Sequence, residues 1–420
     1  MRHTAPRRRD TLAERVTGLI TDRSIGTALA VTVAMLALSA CGERSTSASG
    51  GASGVSAAAS WSWQLPDYFP APVVPRDNPM SAEKVALGRF LFYDKRLSGN
   101  GTQACASCHQ QAKGFTDGKA LAIGARGDVH PRSAMALVNV AWNATYTWAN
   151  PSLISLERQV LNPIFGETPP ELGVNDDSVK LVLERLRSAQ DVNYTALFQA
   201  AFPEPPPKSE SADGNPVTWN RIMKAITTFE RTLISVNSRY DQYRQGKITL
   251  SPSEQHGLDV FKEAQCVKCH QEPNFTNQFR SIATDEVTPR YYDKGLYNVG
   301  GKGVYPQESQ GVIELTGSPE DMGKYKTPTL RNIEVTGPYS HDGSIKTLEE
   351  AVEIFTSGGR NVTSGPHAGD GRLSPHKSNF IKDRQLSQQD KADLVAFLKT
   401  LTDESFLTNP KLSDPFVKKP

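Results

Sequence analysis

The chain is organised around Cys105-Ala106-Ser107-Cys108-His109, a motif that returns in the second half as Cys266-Val267-Lys268-Cys269-His270. In a Cys-X-X-Cys-His motif both thiols can attach to a haem from one helical turn, and the histidine then ligates the iron. A four-cysteine zinc site or a pair of short disulfides would not require a histidine after each second cysteine. We therefore predict two covalently bound haem c groups, held by Cys105, Cys108, His109, Cys266, Cys269 and His270.

The composition is that of a globular protein without a basic surface for nucleic acid. Its 420 residues are enough for two domains with cores of their own. The 47 basic and 45 acidic side chains nearly balance, so we predict no nucleic-acid partner. The 28 prolines and 32 glycines favour long ordered loops. Of the five cysteines, the two motifs use all but one, which leaves no pair for an internal disulfide.

The N-terminal region predicts export and a membrane anchor. Residues 1–40 combine an arginine-rich start with an apolar run too short for a membrane span, which is typical of a signal peptide. The ending Leu38-Ser39-Ala40-Cys41 resembles a bacterial lipobox, in which Cys41 would carry the lipid. Residues 41–60, rich in glycine, serine and alanine, would then form a flexible tether. Simple cleavage near Ala40 is the alternative. In both cases we predict a periplasmic protein, which meets the membrane only if the lipid is attached.

The chain around the two motifs repeats one plan. Ser81 is suited to cap a helix that leads to the first motif, and the capping box Ser251-Pro252-Ser253-Glu254 begins the corresponding helix before the second. Phe115-Thr116-Asp117 follows the first motif as Phe275-Thr276-Asn277 follows the second. This internal repeat predicts a mainly α protein with two cytochrome c-like helical haem domains and long ordered loops.

We place the boundary between the two predicted domains at residue 245. The first would span residues 61–245, beginning with a proline-rich extended arm, and the second would span residues 246–420. Between the motifs, apolar periodicity predicts helices over residues 176–202 and 219–243. A further capping box that starts at Ser387 predicts a helix near the C-terminal end.

Further strings resemble the bacterial di-haem cytochrome c peroxidase/MauG family. Leu91-Phe92-Tyr93-Asp94 and Leu97-Ser98-Gly99-Asn100-Gly101, which precede the first motif, are similar to that family. Within it the chain looks most like the di-haem enzymes associated with methanobactin operons, from about residue 61 onward. That second resemblance is carried by Trp63-Gln64-Leu65-Pro66, Asp77-Asn78-Pro79-Met80-Ser81, His130-Pro131-Arg132, Trp148-Ala149-Asn150-Pro151 and Gly295-Leu296-Tyr297-Asn298.

The resemblance implies that hydrogen peroxide reacts at the haem of His109 and that the haem of His270 is its electron partner. Trp148 matches the tryptophan that lies between the two haems in the family. The oxidising equivalents, shared by both haems, would then oxidise a residue of a partner protein, as in MauG-like members. For the methanobactin-associated relatives that target is a tryptophan of a companion copper-binding protein. The alternatives are peroxide detoxification with a small cytochrome or cupredoxin as donor, and a non-catalytic electron carrier.

The resemblance also implies an acid/base pair at the peroxide site. Cleavage of the O–O bond needs a group that takes a proton from one oxygen and gives it to the other. Glu171 matches the family's glutamate for this role, and Gln159 matches the glutamine that assists it. The spacing departs from the family around residues 165–170, so Glu167 competes with Glu171.

Two departures from the family concern the iron ligands. Typical members block the peroxide iron with a histidine, but that position is Ala125 here. His130 lies nearby, and we interpret it as a pocket or structural residue, the alternative being that it takes the place of the blocking histidine. We therefore expect an iron that is open at rest. The sixth ligand of the second haem falls at Phe355, which has no donor atom. Water, no ligand, or another side chain would complete that iron, the side-chain candidates being His367, His376 and Met322.

A calcium ion between the domains is a further implication of the resemblance. Thr336 and Pro338 match positions at which the family binds calcium through backbone carbonyls. The family's asparagine ligand aligns with Ser133, so this prediction rests on those two residues alone.

Overall fold

The computed structural model describes residues 61–284 and 286–417, in which helices dominate. The predicted signal peptide, Cys41 and the tether lie outside the described residues. Within this part of the chain, no helix is both long and apolar enough to cross a membrane. The α-helices are α1 (Ala82–Tyr93), α2 (Cys105–Cys108), α3 (Leu156–Gln159), α4 (Leu161–Phe165), α5 (Val179–Arg187), α6 (Tyr194–Ala201), α7 (Trp219–Glu230), α8 (Arg239–Arg244), α9 (Pro252–Glu263), α10 (Ile313–Thr316), α11 (Leu348–Thr356), α12 (Gln388–Lys399) and α13 (Glu404–Leu407).

Strands are few and short in the described residues. The strand β1 (Tyr291–Asp293) pairs antiparallel with β2 (Lys324–Lys326), and Tyr292 faces Tyr325 across the pair. The strand β3 (Asn361–Val362) pairs in the same sense with β4 (Gly369–Asp370). Single 3-10 turns lie at Lys95–Leu97, Gln111–Lys113, Val140–Trp142, Cys266–Lys268, Pro319–Asp321, Ile333–Val335 and Gly371–Leu373.

The predicted helix starts are confirmed. The Ser81 hydroxyl accepts the N–H of Lys84 and caps α1. Ser251 and Ser387 begin α9 and α12 with complete capping boxes. The arm over residues 61–79 contains neither helix nor strand, as its prolines require.

Both helices predicted between the motifs are longer than the helices in the structure. The prediction over residues 176–202 is divided into α5 and α6, and Asn193 caps the second of them. The prediction over residues 219–243 ends at Glu230 with α7, and Ser238 begins the separate helix α8. In both cases a polar side chain binds the backbone and starts a new helix, which apolar periodicity alone does not reveal.

The two halves share one packing device. The helix before each motif crosses a later helix of its own half at a glycine: α1 meets α7 at Gly88, and α9 meets α12 at Gly257. A Cβ added to Gly88 would lie 1.9 Å from the carbonyl oxygen of Ala225, and one added to Gly257 would lie 1.9 Å from that of Asp393. The equal approach supports the internal repeat, because only glycine allows backbones this close.

Four apolar clusters are found in the described residues: three lie around the motifs, and the fourth contains Phe69 and Trp142. The first contains α1 and α5 to α7 and contacts Cys105, and the second contains α9 and α12 and contacts Cys266. The third joins Trp148 from the first half to tyrosines of the second half. Since each motif borders its own core, the two haem sites are separate.

The C-terminal segment returns to the first half. Phe406, Leu407 and Leu412 are buried in the cluster that surrounds α1. The Arg89 guanidinium and the Tyr93 hydroxyl, both on α1, donate to carbonyl oxygens of residues 410–413. The division at residue 245 remains a prediction, and this segment crosses it.

Candidate functional site

The first motif presents a histidine ready to ligate a metal through Nε2. Helix α2 carries Cys105 and Cys108, and the Nδ1 atom of His109 lies 2.8 Å from the carbonyl oxygen of Phe115. Phe115 has a φ of 60°, which turns its carbonyl back toward the ring. The hydrogen bond fixes the proton on Nδ1 and leaves Nε2 free for iron. Burial lowers the pKa of His109, so the imidazole is neutral as a ligand must be.

The second motif uses the same geometry. The Nδ1 atom of His270 lies 3.0 Å from the carbonyl oxygen of Phe275, whose φ is 49°. Burial lowers the pKa of His270 to about 4. The repeat seen in the sequence therefore extends to the orientation of both imidazoles.

The four motif thiols are free in the structure, which leaves them available to a haem. Burial raises the pKa of Cys108 and of Cys266 to about 11, so both are neutral thiols. A single four-cysteine zinc site is not formed, because the two motifs border different cores. Among the described residues no cluster of three or more histidine, cysteine or acidic side chains could hold a metal ion.

A cavity beside the second motif has the composition that a haem requires. Cys266, Cys269 and His270 form one part of its wall, and Trp148 and Lys294 form another. Most of the remaining lining is apolar, which suits a porphyrin face. That lining includes Phe261, Leu348, Val352, Phe355, Leu394 and Leu398. The chain thus offers an attachment motif and an apolar pocket at the same place.

The cavity also bears on the sixth ligand of the second haem. Phe355, at the position where relatives place that ligand, lines the cavity. His367 lies instead at a separate surface pocket, against the ring of Tyr297. Met322 packs against the third apolar cluster, and His376 lies beside Gly303. None of these three side chains is among the residues that line the cavity.

Trp148 lies at the cavity of the second motif and contacts a segment that leads to the first. Its indole Nε1–H donates a hydrogen bond of 2.9 Å to the carbonyl oxygen of Ser133, and its ring lines the cavity of the second motif. The backbone of Met135, two residues further along the same segment, contacts the imidazole of His109. One short segment therefore touches Trp148 on one side and the first proximal histidine on the other.

Glu171 is close to the first motif. Its charge acts on both Cys105 and Cys108, and burial raises the pKa of its carboxyl to about 7. The backbone N–H of Ala125 donates to the carbonyl oxygen of Glu171 at 2.7 Å. The structure thus brings together the candidate acid/base and the position where a blocking histidine was expected.

The neighbours of Glu171 differ in burial. The side chain of Glu167 is exposed, whereas that of Glu171 is partly buried. His130 lies against the backbone of Pro170, and burial lowers its pKa. Gln159 is the last residue of α3. The next helix, α4, contacts the residue after Glu171, because the N–H of Leu172 donates a hydrogen bond to the carbonyl oxygen of Pro163 on α4.

Sequence reasoning missed Glu230 and Lys294. Glu230 is buried on α7, and burial raises its pKa to about 8. Its charge acts on Cys105, and its Oε2 atom has no hydrogen-bond partner among the described residues. Its position four residues after Ile226, on the apolar face of α7, was the available signal. Lys294 lines the second cavity, and burial lowers its pKa to about 8; no local pattern marked it.

Thr336 and Pro338, the candidate calcium residues, both line the cavity of the second motif. Thr336 also lies close to Gly114 of the first half, so the pair is near the contact between the halves. The Ser133 N–H donates to the carbonyl oxygen of His341 in the same region. These contacts add no acidic side chain to the site.

Comparisons with known proteins agree with this arrangement. Residues 82–249 match the family model described as di-haem cytochrome c peroxidase. The chain is 33% identical to cytochrome-c peroxidase IdrP1 of Denitromonas iodatirespirans, with 84% of this chain and 89% of that protein covered. It is 31% identical to the methylamine utilization protein MauG of Methylorubrum extorquens, with 80% and 84% covered.

A solved structure is more similar still. It is the crystal structure of a MauG-like protein associated with microbial copper homeostasis, at 48% identity and a TM-score of 0.81. The match covers 85% of this chain and 100% of that one. The predicted mainly α fold with two cytochrome c-like haem domains is confirmed.

Proposed function

Because this chain belongs to the bacterial di-haem cytochrome c peroxidase/MauG family and is a haem c oxidoreductase, we propose that it uses hydrogen peroxide to oxidise a residue of a periplasmic partner protein. His109 would hold the haem whose iron reduces peroxide, and His270 would hold the second haem, with which the oxidising equivalents would be shared. The observation that carries the proposal is the partly buried Glu171 carboxyl, whose pKa of about 7 suits proton transfer at neutral pH.

Glu171 would act on peroxide in both directions. Its carboxylate accepts the proton of one peroxide oxygen and returns it to the other, which leaves as water. A pKa of about 7 allows both steps near neutral pH, since the two protonation states are then nearly equally populated. The exposed Glu167 has no such environment, which favours Glu171 in the role. Gln159 would orient peroxide from α3.

Trp148 would carry electrons between the two sites. Its indole borders the second cavity and bonds to the segment that touches His109. An aromatic ring in this wall shortens each electron step compared with a single transfer across the gap. The proposal therefore assigns Trp148 to the sharing of oxidising equivalents and Glu171 to their generation.

The choice between partner oxidation and detoxification rests on two observations. A regulated detoxifying enzyme would need a side chain that ligates and blocks the first iron. Ala125, at that position, has no ligand atom. The relative at 48% identity is described as MauG-like and associated with copper homeostasis, which favours a copper-binding partner as the target. Detoxification with a small cytochrome or cupredoxin donor is the second candidate, supported by the relatives named cytochrome-c peroxidase.

One experiment separates these two candidates. The holoenzyme receives one equivalent of peroxide without donor, and haem absorption is followed together with Mössbauer spectra. Partner oxidation requires that both haems change and that the product persists. A change at one haem, removed at once by a small cytochrome, would favour detoxification. Unchanged haems after peroxide would refute both candidates and leave the electron carrier.

The location is proposed to be the periplasm, with a lipid on Cys41. Replacing Cys41 with alanine should move the protein from the membrane fraction to the soluble fraction. A wild-type protein that is already soluble would exclude the anchor.

A calcium ion at Thr336 and Pro338 is a separate proposal. Chelation of a calcium-loaded protein should then change the absorption spectrum of the second haem, whose cavity both residues line. An unchanged spectrum, with no calcium in the purified protein by elemental analysis, would exclude the ion.

A further inference from the structure

A row of buried aromatic rings leads away from Trp148 toward the surface. The members are Trp148, Tyr325, Tyr305 and Tyr297, and all belong to the third apolar cluster. Tyr325 and Tyr305 are each 1% exposed, and Tyr297 is 7% exposed. The proposed function uses only the first of the four. Three tyrosines from separate parts of the sequence thus form a row that peroxide chemistry as proposed above does not explain.

The three tyrosine rings are closely spaced, and one lysine side chain lies near both Trp148 and Tyr325. The ring centroids of Tyr325 and Tyr305 are 6.0 Å apart, and those of Tyr305 and Tyr297 are 5.4 Å apart. Trp148 and Tyr325 are joined through Lys294, whose Nζ lies 5.9 Å from one ring centroid and 5.8 Å from the other. The carbonyl oxygen of Trp148 also accepts the N–H of Lys326, the residue after Tyr325, at 2.8 Å.

Two of the tyrosines have a carboxylate on the hydroxyl. The hydroxyl of Tyr305 donates to Asp293 at 2.5 Å, and that of Tyr297 donates to Asp342 at 2.6 Å. A phenol that loses an electron becomes strongly acidic, so its oxidation is favoured where a base can take the proton at once. Tyr325 differs, since its hydroxyl donates to the carbonyl oxygen of Ser309. Tyr325 has no carboxylate to take its proton, so the charge is held at Tyr305 or Tyr297 and not at Tyr325.

The ionisation state of Asp342 suits a proton acceptor. Burial acts to raise its pKa, but His341 and the hydrogen bonds from Tyr297 and Ser344 outweigh burial and lower the pKa to about 2. The carboxyl is thus ionised at neutral pH and has room for one proton.

The row ends at a polar surface pocket. The ring of Tyr297 lies edge-on to His367 at 5.9 Å between centroids, and the Arg360 guanidinium lies 4.5 Å from the Tyr297 ring centroid. The pocket is lined by Tyr297, Arg360, Asn361, Thr363, Ser364 and His367, among others. A small donor could therefore reach the edge of Tyr297 without entering either haem cavity.

We propose that Tyr325, Tyr305 and Tyr297 form a redox relay that carries one oxidising equivalent from Trp148 to Tyr297, where a small phenolic donor in the pocket removes it. The relay rests on the proposed function, because peroxide supplies the oxidising equivalents. Tyr297 gives one electron to the oxidised indole through the other two rings. Its O–H bond breaks, the proton passes to Asp342, and a neutral phenoxyl radical remains. A phenolic donor then returns one electron, Asp342 returns the proton, and the donor releases its own proton to water.

The test uses the full holoprotein with both haems and ring-deuterated tyrosine. One equivalent of peroxide is added without donor, and the sample is frozen for electron paramagnetic resonance. The variants are Tyr297→Phe and Tyr305→Phe, which keep ring volume and remove the acidic hydroxyl. The control is Tyr194→Phe, because Tyr194 is also buried and donates to a carboxylate, Asp94, at 2.5 Å but belongs to the first cluster. Haem content and circular dichroism verify that each variant is folded.

We expect a tyrosyl signal in the wild type that narrows with deuterated tyrosine and is retained in the control. It should be lost in Tyr305→Phe, whereas in Tyr297→Phe the radical should stop at Tyr305 and the signal should change shape. The rate of oxidation of guaiacol, a soluble phenol, should fall in both variants. The haem absorption should still change after peroxide at the wild-type rate. Loss in Tyr305→Phe matters most, since that variant leaves the pocket intact. A signal of unchanged shape in Tyr297→Phe, a signal that survives in Tyr305→Phe, or no radical in a wild type whose haems do react overturns the relay and leaves the proposed function standing. Haems that do not react with peroxide overturn both.

Discussion

The backbone N–H of Ala125 donates a hydrogen bond of 2.7 Å to the carbonyl oxygen of Glu171. This contact joins the loop after the first motif to the segment that carries the candidate acid/base. Gly124 makes it possible, because a Cβ there would lie 2.0 Å from the carbonyl oxygen of Pro170. The position at which typical relatives block the iron is therefore bonded to the backbone of the residue whose carboxyl would work on peroxide.

Replacing Ala125 with histidine should restore the missing block. An imidazole beside Glu171 could reach the open position of the first haem, so the oxidised protein should change from a high-spin to a low-spin signal and react slowly with peroxide. Electron paramagnetic resonance and stopped-flow absorption measure both effects. Ile123→His, at an exposed position of the same loop, is the control and should change neither. A high-spin signal that persists in Ala125→His would show that this loop does not face the iron.

Replacing Glu171 with glutamine should slow the reaction with peroxide by about a hundredfold, as is typical of a lost general acid/base. The wild-type rate should rise with pH through about 7, because burial raises the pKa of Glu171 to that value and the deprotonated form accepts the first proton. The rise should be absent from the variant. Stopped-flow rates between pH 5.5 and about 8.5 cover this titration.

The control for Glu171 is the exposed neighbour. Glu167→Gln should keep both the rate and its dependence on pH. A loss of rate in Glu167→Gln with none in Glu171→Gln would transfer the role to Glu167.

Replacing Trp148 with phenylalanine should confine oxidation to the first haem. Phenylalanine keeps an aromatic ring in the wall but is much harder to oxidise than indole, and it loses the hydrogen bond to Ser133. Peroxide should still react at an unchanged rate, while the near-infrared and Mössbauer signs of the second haem disappear. Trp142→Phe is the control, since that indole is buried in a different cluster and donates to the carbonyl oxygen of Pro70. Oxidation of both haems in Trp148→Phe would exclude the inter-haem role.

Replacing Asp241 with asparagine should destabilise the protein by about 3–5 kcal/mol, the usual effect of leaving one charge of a buried pair alone. Arg331 and Asp241 are both fully buried, and two hydrogen bonds of 2.8 and 2.9 Å join them. Urea unfolding of the holoprotein measures the change. Asp213→Asn breaks an exposed pair with Arg187 and should change the stability much less. Similar losses in the two variants would contradict this account of the buried pair.

The sequence was sufficient for the parts of the site that are local. The haem motifs, the helix caps at Ser81, Ser251 and Ser387, and the repeat could all be read from short patterns. The left-handed backbone of Phe115, which aims a carbonyl at His109, carries no such pattern, since phenylalanine rarely adopts that conformation.

Contacts between distant parts of the chain were beyond reach for a different reason. Lys294 acquires its meaning only from the rings of Trp148 and Tyr325, which other segments supply. Glu230 was missed because apolar periodicity predicts which face of α7 is buried but does not predict whether a buried carboxyl on that face has a hydrogen-bond partner. The roles of both residues depend on neighbours that are distant in the sequence, and a local sequence pattern does not reveal such neighbours.

The return of residues 406–412 to α1 has a consequence for how the molecule matures. If the chain is exported N-terminus first, as proposed, the first haem motif emerges before Phe406, Leu407 and Leu412 can cover α1. Until then the hydrogen-bond donors of Arg89 and Tyr93 lack their carbonyl partners. The first haem would thus be attached while α1 is still uncovered and the attachment enzymes can reach the site. The C-terminal segment would cover α1 afterwards.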